Sequence, residues 1–169
     1  DWSEQGPDNS SKNRQRGDLG RVSTDTVLLE PGVELVRFRI TGASKAHVHE
    51  LYLTMAGDLP FDDHITTSSP AWGMTLEPPR RCQGSYPNGG VLCSPTTTSM
   101  LLSYWGKTIF QPRLEADVPD LLPAIWDQAY GGAGNWSFNA SLAGAQPGMV
   151  GYVARLRGFA DLEAWIERE

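Results

Sequence analysis

The sequence predicts an α+β chain, with an antiparallel β unit near the N-terminus followed by a helical half. Three observations predict it. Apolar residues alternate with period two between residues 20 and 56. Residues 57–80 are punctuated by Gly57, Pro60, Pro70, Pro78 and Pro79. Beyond them the apolar period becomes helical. The expected divisions are a polar terminus (1–19), a β unit (20–56), a linker (57–80) and a helical domain (81–169) that lacks a sheet of its own.

In order along the chain, residues 1–19 are rich in Gly, Asn, Ser and Arg and read as a loop. Residues 21–29 read as a first strand carrying Val22, Val27, Leu28 and Leu29, and Pro31-Gly32 is a turn signal. Residues 33–41 alternate, with Val36, Phe38 and Ile40 against Arg37 and Arg39. Residues 48–55 repeat the pattern with Leu51, Leu53 and Met55, giving three strands in all. After the linker, Ser94 is the expected N-cap of a helix and Pro95 its first residue. Met100, Leu101, Tyr104 and Trp105 are its expected apolar stripe, and Gly106 its end. The run Thr96-Thr97-Thr98 is a poor helix former, so this helix depends on packing. A second helix is predicted from Asp120 to about Tyr130, with Leu122, Ile125, Trp126 and Ala129 on one face. A glycine-rich loop, a strand at 150–156 and a helix from Phe159 to the end follow. Leu162, Trp165 and Ile166 share a face of that last helix.

Charge and length exclude some roles. The net charge is −6, which gives no electrostatic footprint for nucleic acid or an anionic membrane. No apolar run reaches the roughly 20 residues of a membrane span. The N-terminus, Asp1-Trp2-Ser3-Glu4, is neither a natural start nor a signal peptide, so the chain is expected to be processed or trimmed.

The chemistry centres on Cys93. A thiolate is the nucleophile, and a free thiol has a pKa of about 8.5. A helix N-terminus favours the negative form, and Cys93-Ser94-Pro95-Thr96 sets a sulfur at such a start. The competing reading is a small buried hydrophobe or half of a disulfide with Cys82, eleven positions away. Gln83 lies ten residues upstream, across a loop with Pro87, Asn88, Gly89 and Gly90. Its amide beside the thiol would donate to the oxyanion formed on attack at a carbonyl; the bland reading is a solvated loop residue. His47, His49, Glu50, Asp62, Asp63 and His64 are metal-ligating residue types, but their spacing matches no strong signature and a polar strand entry is the plainer reading. Asn9, Asn135 and Asn139 head Asn-x-Ser sequons that chance produces often. Asp117, Asp120 and Asp127 suit helix caps and solvated faces. Among the tryptophans, Trp136, in the glycine-rich loop beside Asn135, is the candidate cleft wall.

Gln83, the loop, and Cys93-Ser94-Pro95-Thr96 through Gly106 together resemble the catalytic opening of the C-39-like cysteine peptidases, papain-fold relatives of the proteases that process bacteriocin leaders. Gly134-Asn135-Trp136-Ser137-Phe138-Asn139 resembles a second block of one bacterial subfamily, and Val22-Ser23-Thr24-Asp25-Thr26 the β region ahead of the catalytic domain there. The resemblance implies a papain-like domain of which this chain holds the helical half. It implies Cys93 as nucleophile, Gln83 at the oxyanion hole, and Asn135 and Trp136 lining the substrate. It also implies a peptide or protein substrate, no cofactor or metal, and a place outside the cell or in its envelope. The family's histidine and acid come later, on strands after the last helix. No histidine follows His64 here. The expectation is therefore a polypeptide that continues past Glu169, or an inactive fragment. Two other readings stand beside the peptidase: a binding module for peptides or cell-wall fragments, and an acyltransferase using the same thiol.

Overall fold

The computed structural model describes residues 16–23, 26–39, 51–57, 60, 69–128 and 130–167. It is an α+β structure, with a small antiparallel sheet preceding helices. The sheet is a meander of β1 (Arg16–Gly17), β2 (Gly20–Ser23) and β3 (Thr26–Leu29) in sequence order. Val22 pairs with Val27 and Ser23 with Thr26, so one predicted strand is a tight hairpin. Gly20 and Val22, on one face of β2, are its buried residues.

The other two expected strands are corrected. Residues 33–39 and 51–55 are without regular secondary structure and join no sheet; 40–50 lie outside the described residues. Alternation alone did not suffice, because a strand needs a neighbouring backbone. The 51–57 run instead meets the 151–155 run through side chains. Tyr52 stacks on Tyr152 with ring centroids 5.0 Å apart, and the Thr54 hydroxyl donates to the Val153 carbonyl. The strand predicted at 150–156 is accordingly irregular as well.

Helix α1 spans Cys93–Thr108, α2 Val118–Ile125, α3 Trp136–Gly144 and α4 Phe159–Ile166. The face α1 buries differs from the apolar stripe expected of it. Pro95, Thr96, Thr98, Ser99, Leu102, Ser103 and Gly106 are inside, while Leu101 is exposed. Positions 95, 99, 102, 103 and 106 fall on one face at helical spacing, and most are small, so neighbouring backbone approaches closely. Ser99 Oγ donates to the Ala116 carbonyl at 3.0 Å. A methyl group on Gly106 would stand 3.0 Å from the Gln111 carbonyl oxygen and 3.1 Å from Leu114 Cβ. Gly106 is thus a packing contact rather than the helix end.

The helix stops at Phe110. The Phe110 N–H donates to the Lys107 carbonyl at 3.4 Å and the Gln111 N–H to the Gly106 carbonyl at 2.8 Å. This is the Schellman pattern, with Phe110 (φ 55°) in the left-handed position that glycine usually takes.

Helix α2 ends earlier than predicted. A capping box of Asp117 and Asp120 starts it, and Trp126 leaves it in an extended conformation. Asp127 then bridges back to Gly132. The core forms where α1, α2 and α3 meet. Leu102, Leu121, Ile125 and Ala133 are buried there, and Phe138, Leu142 and Met149 pack against them. Helix α4 forms where expected, and the Trp165 ring meets Tyr152 edge-on at 5.6 Å. Among the described residues no helix is long and apolar enough to cross a membrane.

Candidate active site

The loop from Gln83 to Leu92 is folded by two short 3-10 turns, Gln83–Ser85 and Gly89–Val91. They lie so close that any side chain on Gly89 would overlap the Gln83 carbonyl. Asn88 takes the left-handed conformation (φ 58°) that lets the chain reverse. The Gln83 amide donates to the Gly89 carbonyl at 2.8 Å, and that same oxygen accepts the Leu92 N–H at 3.1 Å. Leu92 is the N-cap residue of α1 and Cys93 its first helical residue. One carbonyl therefore ties Gln83 to the residue preceding the thiol. The Gln83 amide group carries a second hydrogen beyond the one given to Gly89.

Cys93 is exposed and its thiol is free, as is that of Cys82, so the two form no disulfide here. The expected caps shift by two residues: Leu92 occupies the N-cap, no side chain caps the helix, and Pro95 is its third residue. Thr97 Oγ1 bonds the Cys93 carbonyl at 3.0 Å.

The glycine-rich block is built around Asp127. This carboxylate was expected on a solvated face; it is instead completely buried (0% exposed). Its Oδ1 accepts the Tyr130 N–H at 3.0 Å and its Oδ2 the Asn135 amide at 2.8 Å. The other end of the Asn135 side chain caps α3, its Oδ1 accepting the Ser137 and Phe138 N–H groups at 3.0 and 3.4 Å. Asn139 donates to the carbonyls of Ala133 and Asn135, both at 2.8 Å. Thr98 Oγ1, from α1, donates to Asn139 Oδ1 at 3.3 Å. Trp136, the first residue of α3, is 65% exposed.

The sequence-predicted residues are thus distributed unevenly. Gln83 and Cys93 share one hydrogen-bonded loop. Asn135 is buried, with both ends of its amide engaged, whereas Trp136 offers an open indole. The link between the two blocks is the Thr98–Asn139 bond, about one and a half turns along α1 from Cys93 and one turn along α3 from Trp136. A shallow groove lined by Met55, Gly57, Arg155, Arg157 and Asp161 lies elsewhere and includes none of these four residues. The histidines weighed as metal ligands, with Glu50, Asp62 and Asp63, fall outside the described residues, as does Asn9.

The sequence reading missed a charged cluster. Arg81 Nη1 donates to the Ser99 carbonyl at 3.1 Å and Ser103 Oγ at 3.0 Å, and its Nε pairs with Asp117 Oδ1 at 3.4 Å. The Tyr86 hydroxyl donates to the same Asp117 oxygen at 2.6 Å. That hydroxyl, the Val118 N–H and the Arg81 charge hold the Asp117 carboxyl below its ordinary range. Its hydrogen bond to Asp117, partial desolvation and the Asp117 charge push the Tyr86 phenol up. The only local signal was that Arg81 and Tyr86 flank Gln83; their shared partner lies more than thirty residues on.

No curated protein and no solved structure matches the chain. A profile described as the Peptidase_C39 like family matches residues 75–160, just over half of the chain. That span holds the Gln83 loop, the helix headed by Cys93 and the Gly-Asn-Trp block, and on this ground the chain belongs to the C-39-like family of papain-like peptidases.

Proposed function

We propose that this chain carries the nucleophile side of a cysteine peptidase that hydrolyses peptide amide bonds. The observation that supports it best is the exposed, free Cys93 at the first position of α1, with the Gln83 amide tethered to the carbonyl that leads into that helix. In this reading the Cys93 sulfur attacks the carbonyl carbon, forming a C–S bond as the carbonyl π electrons move to oxygen. A Gln83 N–H donates to that oxyanion, and its stabilisation lowers the barrier. Collapse expels the amine, which takes up a proton, and water then cleaves the thioester. None of the described residues is a histidine; in this reading the general base and its acidic partner are those that the family resemblance puts on strands after the last helix. Trp136 forms a cleft wall, with Asn135 fixing its position at the head of α3. A place outside a bacterial cell or in its envelope rests on the resemblance alone.

The test is the rate at which iodoacetamide and an epoxysuccinyl peptide label Cys93 between pH 5 and 8. An activated nucleophile reacts with the epoxide faster than a free thiol does at pH 6. Labelling of Cys93 no faster than glutathione would sink the reading. A peptide-binding module without catalysis would bind peptides while failing this test. An acyltransferase would pass it and give amide rather than acid products when an amine is added.

A further inference from the structure

We propose that Arg81, Tyr86 and Asp117 form a clamp that positions the Gln83 amide against Cys93, a role in the oxyanion site that belongs to none of the three by sequence. The inference rests on the peptidase reading above and adds the device that sets its geometry.

The clamp holds the Gln83 loop from both sides. Arg81 lies two residues before Gln83 and Tyr86 three after it, and both converge on Asp117 Oδ1. Through Arg81 the loop is also fastened to α1, nearly two and nearly three turns beyond Cys93, at the Ser99 carbonyl and the Ser103 hydroxyl. Ser99 and Ser103 are fully buried, so these anchor points do not move with the surface. The Arg81 N–H adds a 3.4 Å contact to the Met100 sulfur. Asp117 in turn caps α2 through the Val118 N–H at 2.8 Å.

The loop thus has few ways to shift relative to α1. Gln83 itself reaches the helix through a single side-chain bond, to the Gly89 carbonyl. That bond alone leaves the turn free to rock. The arginine fork to Ser99 and Ser103, the ion pair and the short phenol–carboxylate bond remove that freedom. An oxyanion donor contributes only when it is held in place before the charge develops, and a displacement of about 1 Å costs much of its effect. Arg81, Tyr86 and Asp117 are positioning residues, since each acts through Gln83.

The test uses a peptide aldehyde, which adds Cys93 reversibly. The sulfur bonds to the aldehyde carbon, the thiol proton ends on oxygen, and that oxygen occupies the oxyanion position. Iodoacetamide serves as the control, because alkylation creates no tetrahedral carbon and places no oxygen at that position. Gln83→Ala weakens aldehyde binding about tenfold. Tyr86→Phe, which keeps the ring, and Asp117→Asn, which keeps an N-cap acceptor, each weaken it about threefold to tenfold. Their iodoacetamide rates stay within about twofold of the parent. In a Gln83→Ala background the clamp substitutions have no further effect on the aldehyde, because what they position is gone. A purely structural role moves both probes together, or adds to Gln83→Ala, and overturns the clamp. Should Gln83→Ala weaken the aldehyde while the clamp variants do not, the clamp fails and the peptidase reading stands. Should the parent protein bind the aldehyde no better than glutathione does, both fail.

Discussion

Replacing Asp127 by alanine is expected to be among the most damaging single changes outside the hydrophobic core. The carboxylate is fully buried and both of its oxygens are engaged, by the Tyr130 N–H at 3.0 Å and the Asn135 amide at 2.8 Å. Hydrogen bonds to a charged acceptor contribute about 1.5–3 kcal/mol each, and truncation leaves two donors without a partner. The expected loss is about 3–5 kcal/mol, a large share of the roughly 5–15 kcal/mol that stabilises a typical domain. Asp127→Asn keeps the shape and one acceptor oxygen but faces an N–H with an N–H, so its loss is about 1–2 kcal/mol. Urea unfolding at pH 7, read as a shift in midpoint at constant slope, measures both. Native-state hydrogen exchange supplies the local readout. The Ser137 and Phe138 amides, capped by Asn135, should lose more protection in Asp127→Ala than the β2–β3 hairpin does. An Asp127→Ala loss below about 1 kcal/mol, or exchange that rises evenly across the chain, would refute the claim that this carboxylate organises the Gly-Asn-Trp block.

Other expectations follow from single features. Asp117 has a lowered carboxyl pKa, so the stability it contributes is complete above the unfolded value of about 4 and is lost as pH falls through the lower folded one. Tyr86 is raised, so its share is complete below about pH 10 and is lost as pH rises beyond it. The stability gap between the parent and Asp117→Asn should be flat across neutral pH and close in strong acid; a gap that changes between pH 6 and 8 would contradict this. Phe110 is 88% exposed in the left-handed region, where a side chain costs about 1–2 kcal/mol, so Phe110→Gly should raise the melting temperature by a degree or two after the entropy glycine adds to the unfolded chain. The Thr96 hydroxyl is buried and has no hydrogen-bond partner among the described residues, so Thr96→Val should stabilise by about 1 kcal/mol in urea unfolding, and a loss of stability would refute this.

How much of this was legible in the sequence depends on how far each interaction reaches. That a loop with Asn88, Gly89 and Gly90 leads from Gln83 into a helix near Cys93 was readable, because those residue types announce turns; the bond through the Gly89 carbonyl and the N-cap at Leu92 were not. The capping by Asp117 and Asp120 was readable for the same reason. Burial along α1 was not. Hydrophobic period points to Leu101 and Tyr104, but the helix packs Thr96, Thr98, Ser99, Ser103 and Gly106 inward, and small polar residues carry no hydropathy signal. Gly106 itself read as a stop because glycine usually is one, while the actual stop falls on a phenylalanine that nothing local would nominate. Asp127 was misplaced because its partner Asn135 lies across a turn created by the glycines between them. The extended runs at 33–39 and 51–57 alternate like strands, and only the absence of a paired backbone beside them in the described residues separates them from one.

Asp117 gives the site an unusual dependence. The same oxygen closes the first turn of α2, receives the Tyr86 hydroxyl and neutralises Arg81. Until α2 begins to form, Arg81 and Tyr86 lack the fixed carboxylate on which they converge. Docking of α2 against α1 and ordering of the loop are therefore coupled, in a protein whose nucleophile heads a helix that itself packs on α2. A chain in which α2 is undocked would keep the Gln83 loop on α1 only through the Arg81 contacts and the bond to the Gly89 carbonyl.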